Sequence, residues 1–316
     1  MCIRDRRIRE SDTVRFTAIV KELERRGKDV INLAVGELDF PTPDKILEAT
    51  KKALSERKVR YDVVSGLEEL KLAICEKFRR ENKIHYDESN IIITNGSKQA
   101  LFSAFQVLCN PGDEVIIPRP FWVTYKEQVK CVDAKPIFVD TRDRDNQLDI
   151  KRIRACITPK TKVIIINSPN NPTGAVFPKR DLKKVADLAL ENDFFVVSDE
   201  TYEKIIYDGL KHCSIASLSE EIKERTVTVN SFSKTYSMTG FRVGYIGAPC
   251  EIVSGINRLQ SHLTGNVCTF AQYGALEALK MDQSFIREWV EELQRRRDIA
   301  FKRLTEFFEC IKPQGG

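Results

Sequence analysis

Residues 226–248 read TVTVNSFSKTYSMTGFRVGYIGA, in which two strand-like runs enclose a short polar segment. Lys234 follows the first run and lies among hydroxyl residues, and Arg242 directly precedes the second. A Ser-x-Ser-Lys segment after a strand is most often a plain polar turn. The alternative is a lysine that forms a covalent bond beside a bound phosphate, and the rest of the sequence bears on that choice.

Further apolar runs of strand length occur along the chain, and helix-like stretches separate most of them. They are IIIT (91–94), EVIIP (114–118), PIFVD (136–140), KVIIIN (162–167) and FFVVSD (194–199). Continuous β-rich runs are typical of strands that are covered on both faces. The sequence therefore predicts an α/β fold with a mostly parallel, seven-stranded sheet sandwiched by helices.

The character of the sequence changes after about residue 283, where one long, charged, amphipathic helix begins. We therefore predict three parts of the chain. Residues 1–40 form an N-terminal arm and small-domain segment, 41–282 a large domain, and 283–316 the start of a second, incomplete α/β domain.

Composition excludes several classes of protein. Lys and Arg (51) barely exceed Asp and Glu (46), without a basic tract, so nucleic acid is not an expected partner. The apolar runs are too short for a membrane helix, and the basic start lacks the apolar region of a secretory signal. Nine cysteines without a C-x-x-C pair indicate reduced, buried thiols in a cytoplasm rather than disulfides or a zinc site.

Polar residues follow several of the predicted strands, where ligands bind in sheets of this kind. The segment 96–98 lies between a strand and a helix, where free backbone N–H groups favour a phosphate, although a plain helix N-cap also explains it. The arginine and serine side chains in the segment 231–242 are further hydrogen-bond donors for a phosphate. The candidate phosphate ligands are Gly96, Ser97, Lys98, Ser231, Ser233 and Arg242.

A second group of residues suits an aromatic ring. Asp199 ends an apolar strand, where an unpaired carboxylate is costly, so it is either a helix N-cap or the partner of a protonated ring nitrogen. Tyr202 and Asn171 could hydrogen-bond a phenolate, although Asn171 lies in a string that is usually only a turn. Trp122 is either core packing or a face on which a ring stacks. With a lysine and a phosphate clasp, these features fit pyridoxal 5'-phosphate (PLP).

At this point the chain resembles the class I aminotransferases of PLP-dependent fold type I, most closely the bacterial aspartate aminotransferase branch. The resemblance covers about residues 11–316, and the combination of motifs is specific to that family. The motifs, in the family's order, are VGELDFPTP, RYDVVSGLEEL, TNGSKQAL, PFWVTY, SPNNPTGAV, VSDETYE and NSFSKTYSMTGFRVGY.

The resemblance implies a role for each residue of the ring-binding group. Lys234 would bind PLP covalently and then move the substrate proton, and Asp199 would keep the ring nitrogen protonated. Asn171 and Tyr202 would hydrogen-bond the ring oxygen, and Trp122 would stack on the ring. The phosphate ligands would be the six residues named above.

The resemblance also implies substrate and subunit contacts. Gly36 would meet the substrate carboxylate through its backbone, beside Trp122 and Asn171. Hydroxyls at Ser11 and Thr13, with Lys98, are associated with the distal carboxylate of a dicarboxylic substrate. Tyr61 would reach the phosphate of a neighbouring subunit, which implies a homodimer.

The implied activity is transfer of an amino group between an amino acid and a 2-oxo acid, and we expect these to be aspartate and 2-oxoglutarate. We expect the protein to act in the cytoplasm, without nucleic acid or membrane partners. Alternatives with nearly the same cofactor shell are a C–S lyase, a cyclopropane amino-acid-forming enzyme, and an aromatic, alanine or kynurenine aminotransferase. A non-catalytic ligand-binding module is a further alternative, but the sequence has no winged-helix or strongly basic segment. A nucleotide enzyme is disfavoured because the G-x-G-x-x-G and G-x-x-x-x-G-K-[ST] motifs are absent.

The end of the sequence gives a last expectation. In the resembling family, the chain continues past a P-x-G-[AG]-F-Y motif into a small domain whose arginine binds the substrate α-carboxylate. Here the sequence ends in PQGG, and no arginine follows Arg303. We therefore expect a C-terminally truncated chain, in which the last helix has an uncovered apolar face and turnover is poor.

Overall fold

The structure, a computed structural model, describes residue 8 and residues 12–33 and 36–316, without the side chains of residues 12 and 13. The described residues form seven strands and twelve α-helices. The strands are β1 (Ile91–Thr94), β2 (Glu114–Arg119), β3 (Lys135–Asp140), β4 (Thr161–Asn167), β5 (Phe195–Asp199), β6 (Thr226–Ser231) and β7 (Gly244–Gly247). The helices are α1 (Asp12–Arg25), α2 (Asp44–Ser55), α3 (Glu68–Lys77), α4 (Gly96–Leu108), α5 (Thr124–Cys131), α6 (Ile150–Ala155), α7 (Lys179–Glu191), α8 (Glu220–Lys223), α9 (Phe232–Thr235), α10 (Cys250–Leu263), α11 (Thr269–Lys280) and α12 (Ser284–Leu304).

All seven strands belong to one sheet, in the order β1-β7-β6-β5-β4-β2-β3. The strands β3, β2, β4, β5 and β6 run parallel to one another. Only β7 opposes its neighbours, lying antiparallel between β1 and β6. The mostly parallel, seven-stranded sheet predicted from the sequence is confirmed.

Burial on both faces explains why the strand sequences are continuous rather than alternating. Successive side chains of a strand point to opposite faces. In β4 and β5, Ile165 and Val197 pack into a cluster with α4 and α10, and their neighbours Ile164 and Val196 pack into another cluster with α7. Because both faces are covered, each position of the central strands favours an apolar residue.

The last helix makes uneven contact with the rest of the molecule. Near its start, Trp289 stacks on Phe40 with ring centroids 4.8 Å apart. Toward its end Ile299 is 52% exposed, and Phe307 beyond it is 78% exposed. The expected uncovered apolar face is therefore present on the described residues, whereas the three-part division of the chain and its truncation stay predictions.

Two surface properties complete the fold. No helix in the described part of the chain combines the length and apolar character that a membrane span requires. The eight described cysteines are free thiols, but the expectation that the thiols are buried is wrong, since six of them are half-buried and two are exposed. Cys250 and Cys268 are exposed because they lie where α10 and α11 begin, at the surface.

Candidate active site

The predicted site residues converge on one edge of the sheet because strand ends meet there. β4 ends at Asn167, β5 at Asp199 and β6 at Ser231. β7 is antiparallel to β6, and Gly244 at its start pairs with Ser231. Arg242, two residues before β7, therefore lies at the same edge as the carboxyl ends of the parallel strands.

Lys234 lies on α9, the short helix that follows β6 directly. Its Nζ donates a hydrogen bond to the carbonyl of Gly36 and lies 5.8 Å from the ring centroid of Tyr202. Burial lowers the pKa of Lys234, and Glu37 opposes this effect. Burial thus favours the neutral amine, which is the nucleophilic form of lysine.

Asp199 is buried and its carboxylate has only neutral partners among the described residues. Tyr125 donates its phenolic O–H to Oδ2 at 2.7 Å, and the backbone N–H of Thr201 donates to Oδ1 at 3.2 Å. Burial raises the pKa of Asp199, and these two donors only partly offset it. A cation placed beside this carboxylate would therefore be strongly stabilised.

Tyr202 and Asn171 lie together on the same side as Asp199. Burial, followed by the charge of Asp199, raises the pKa of Tyr202 to about 12, and the nearby Asn171 side chain opposes this shift. Asn167 connects the two segments, since its Nδ2 donates to the carbonyl of Asp199 at 3.0 Å and its Oδ1 accepts from the N–H of Asn171 at 2.8 Å. The tyrosine is thus a neutral phenol at physiological pH.

Three of the residues predicted to bind phosphate, Gly96, Ser97 and Arg242, lie close together beside Gly244. Gly96 has a φ of +75°, and a Cβ at this position would collide with the guanidinium of Arg242. A Cβ on Gly244 would collide with the backbone of Gly96 and Ser97. The glycines let the first turn of α4 and the guanidinium approach closely, so N–H donors and a positive charge face the same space.

The remaining predicted residues lie around this core. Ser231 and Ser233 are buried, and the Ser231 hydroxyl accepts from the Ser233 N–H at 3.4 Å. Lys98 Nζ lies 5.2 Å from the ring centroid of Trp122. Burial, and then the charge of Arg242, lowers the pKa of Lys98. Lys98 thus lies between the other candidate phosphate ligands and the aromatic face, where either predicted role is open to it.

Three predicted residues are not brought into the site by the described structure. Ser11 and the side chain of Thr13 lie outside the described residues, so their contact with a distal carboxylate stays a prediction. Tyr61 is 99% exposed. Its contact with a neighbouring subunit also stays a prediction.

Sequence reasoning missed Tyr125, which both hydrogen-bonds Asp199 and stands edge-on to Trp122, with ring centroids 5.5 Å apart at 90°. It also missed Glu203, which is buried four residues after Asp199. One signal for Glu203 was available. Two glutamates in VSDETYE, directly after a buried strand, require buried partners that the sequence does not identify.

Comparison with known proteins decides the family. The model of the family "Aminotransferase class I and II" matches residues 28–316. The chain belongs to this family. An aminotransferase is a transferase enzyme, and the members of class I use PLP.

Individual relatives of this aminotransferase agree with the family match. It is 45% identical over 313 residues to a probable aspartate/prephenate aminotransferase of Aquifex aeolicus, covering 98% of this chain and 79% of the relative. It is 42% identical over 308 residues to an aspartate aminotransferase of Bacillus subtilis, covering 96% and 78%. A solved structure of aspartate aminotransferase from Thermus thermophilus with maleate superposes with a TM-score of 0.94 at 41% identity, covering 100% of this chain and 84% of that one.

Proposed function

We propose that this aminotransferase binds PLP through Lys234 and transfers an amino group from aspartate to 2-oxoglutarate. The observation that carries the proposal is the buried Asp199 carboxylate, which lies at the same sheet edge as a half-buried lysine and the candidate phosphate ligands. We also propose a cytoplasmic homodimer, with Tyr61 as the residue offered to the second subunit.

The chemistry of the site fits PLP group by group. The dianionic phosphate suits Arg242 and the N–H groups at the start of α4. The protonated ring nitrogen suits Asp199, and the ring oxygen suits the Tyr202–Asn171 pair. The aldehyde suits Lys234. When bound, PLP supplies an electron sink for the charge that develops when the substrate Cα–H bond breaks.

The protein's own residues supply the other requirements. Lys234 is anchored near Gly36, where the substrate carboxylate is expected, so its amine can take the proton from the amino donor's Cα in one half of the reaction and deliver a proton to the Cα of the new amino acid in the other. Asp199 is buried, so the attraction of its carboxylate for a cation is stronger than it would be in water. Trp122 is half-buried and supplies an aromatic wall.

Product analysis tests the reaction type. The chain loaded with PLP and given aspartate and 2-oxoglutarate is expected to form one oxaloacetate and one glutamate for each aspartate consumed, because the amino group stays in the site between the two halves of the reaction. Assays for oxaloacetate, glutamate and free ammonia measure this. Release of ammonia and pyruvate from a sulfur amino acid, without glutamate, would identify a C–S lyase instead.

The dicarboxylate preference rests on Lys98 and on the named activities of the relatives. Lys98→Ala is expected to lower kcat/KM for aspartate relative to that for alanine or phenylalanine by roughly 10- to 100-fold, the effect of one hydrogen bond to a charged group. Steady-state kinetics with the three amino acids measure the ratio. Lys126→Ala, at a partly exposed lysine on α5, is the matched control.

The same variants separate the two roles predicted for Lys98. If Lys98 mainly holds phosphate, Lys98→Ala weakens PLP binding in equilibrium dialysis and lowers kcat/KM equally for all three amino acids. An unchanged preference would therefore contradict the assignment of Lys98 to the distal carboxylate.

A further inference from the structure

The segment that follows β5 has two faces with different surroundings. Asp199 and Tyr202 lie toward the proposed cofactor. Glu200 and Glu203, which are 1% and 7% exposed, have partners of their own. Two buried carboxylates beside a catalytic segment need a physical explanation, because each is costly unless it is paired.

Glu203 is paired on three sides by side chains from distant parts of the chain. Its carboxylate accepts hydrogen bonds from Lys77 Nζ, from Asn82 Nδ2 at 2.7 Å and from Asn230 Nδ2 at 2.8 Å. Asn230 in turn accepts from the N–H of Ser231 at 2.7 Å. Glu203 is therefore one residue from Tyr202 along the chain and one hydrogen bond from the segment that leads to Lys234.

The charge of Glu203 is compensated within the protein. Burial alone would raise its pKa, but the positive charges of Lys77 and then His212 outweigh burial and lower the pKa to about 2. Glu200, His212 and Glu203 lie close together. Because the Lys77 ammonium already pairs with Glu203, and His212 with Glu200, the cluster is an internal ion network rather than a metal site.

The Glu203–Asn230 hydrogen bond lies just beyond the end of the backbone pairing between β5 and β6. The parallel pairing of β5 with β6 ends at Asp199 and Val229, and the Glu200 N–H makes one more backbone bond to the Val229 carbonyl at 2.9 Å. Both catalytic segments extend beyond that point. In the described residues, the next hydrogen bond between them is the side-chain bond from Asn230 to Glu203.

We propose that Glu203 is a positioning residue, which fixes the segment carrying Lys234 relative to the segment carrying Asp199 and Tyr202 by accepting the Asn230 side chain. The inference rests on the proposed function. A hydrogen bond to a charged acceptor is stronger and more directional than one between neutral groups, so it can hold the two segments to a narrow separation. Catalysis is sensitive to that separation, since a misplacement of about 1 Å can cost roughly 100-fold in rate.

The decisive variant removes the pair while keeping the core filled. Lys77→Met with Glu203→Met replaces both members of the buried ion pair by apolar side chains of similar length, so that no unpaired charge remains, and it removes the acceptor of the Asn82 and Asn230 amides. Glu81→Gln is the matched control, because Glu81 also lies 4.0 Å from Lys77 Nζ but does not contact Asn230. Glu203→Gln is a second variant that keeps an acceptor but removes the charge.

Two measurements are made on each folded variant. Amide hydrogen exchange of the chain without PLP is expected to become roughly 10- to 100-fold faster at 231–234 in the double variant, the effect of losing one charge-assisted hydrogen bond, and to be unchanged at α10. With PLP, kcat is expected to fall by about 10- to 100-fold with a smaller change in KM. Glu81→Gln should change neither quantity.

The outcomes separate the two levels of the proposal. A folded double variant with unchanged exchange at 231–234 overturns the positioning role, as does faster exchange with unchanged kcat. If the double variant does not fold, Glu203→Gln decides by the same two measurements, with smaller changes expected. If the parent chain shows no transamination, the proposed function fails, while the exchange measurement still reports on the bond.

Discussion

Replacing Lys234 with alanine is expected to abolish transamination while the chain still folds and binds PLP without a covalent bond. The side chain is half-buried and donates a hydrogen bond to the Gly36 carbonyl, so its loss removes little from the core. It removes both the covalent attachment and the proton acceptor. General acid–base catalysis alone typically contributes about 10²- to 10⁴-fold, so a loss of at least this size is expected.

Single-turnover kinetics and mass spectrometry measure the effect. Borohydride reduction of the parent chain with PLP should attach the cofactor covalently to the peptide that contains Lys234. The same treatment of Lys234→Ala should leave the corresponding peptide unlabelled. Lys234→Arg is the control, because it retains a cation at this position but remains protonated and cannot act as the nucleophile. A cofactor attached to another lysine would show that the assignment is wrong.

Asp199→Asn is expected to lower kcat by about 10²- to 10³-fold, the usual cost of removing one preorganised electrostatic group, and to weaken PLP binding. Asparagine has the size of aspartate and can still accept from the Thr201 N–H, but it has no charge to stabilise a protonated ring nitrogen. Asp199→Ala should be worse, because the Tyr125 hydroxyl can accept a hydrogen bond from the asparagine amide but has no side-chain partner at an alanine.

Stability measurements separate this catalytic loss from a loss of fold. Burial raises the pKa of Asp199, so at neutral pH the ionised carboxylate opposes folding of the chain without PLP. The melting temperature of that form should therefore stay the same or rise in Asp199→Asn. Equilibrium dialysis measures PLP affinity, and deuterium exchange at the substrate Cα measures proton abstraction. Tyr125→Phe, which keeps the carboxylate of Asp199, should lose less activity than Asp199→Asn. Unchanged turnover in Asp199→Asn would show that Asp199 has no role in the mechanism.

The strands and the residues at their ends were predictable because both depend on short, continuous segments of the sequence. Seven apolar runs match seven strands, and Asp199 and Ser231 terminate two of them. The direction of β7 was not predictable, since the sequence pattern of a four-residue buried strand does not depend on the direction in which the strand runs. Amino-acid composition and motif spacing do not indicate whether a strand runs parallel or antiparallel to its neighbours.

The supporting residues were not predictable because their roles depend on partners far away in the sequence. Tyr125 bonds a carboxylate 74 positions later, and Lys77 pairs with a glutamate 126 positions later. An isolated tyrosine or lysine in a helix has no local pattern that reveals such a partner. Only the packing of α3 and α5 against the sheet brings these groups together.

The antiparallel direction of β7 has a consequence for how Lys234 and Arg242 are held. A parallel strand would begin at the opposite edge of the sheet, so Arg242 would lie a full strand length away, about 13 Å at roughly 3.3 Å per residue. Because β7 turns back instead, the residue proposed to form the covalent bond and the one proposed to meet the phosphate share a single connection between two adjacent strands. The connection acts as a fixed spacer: lengthening it would separate two functional groups while leaving all seven strands paired.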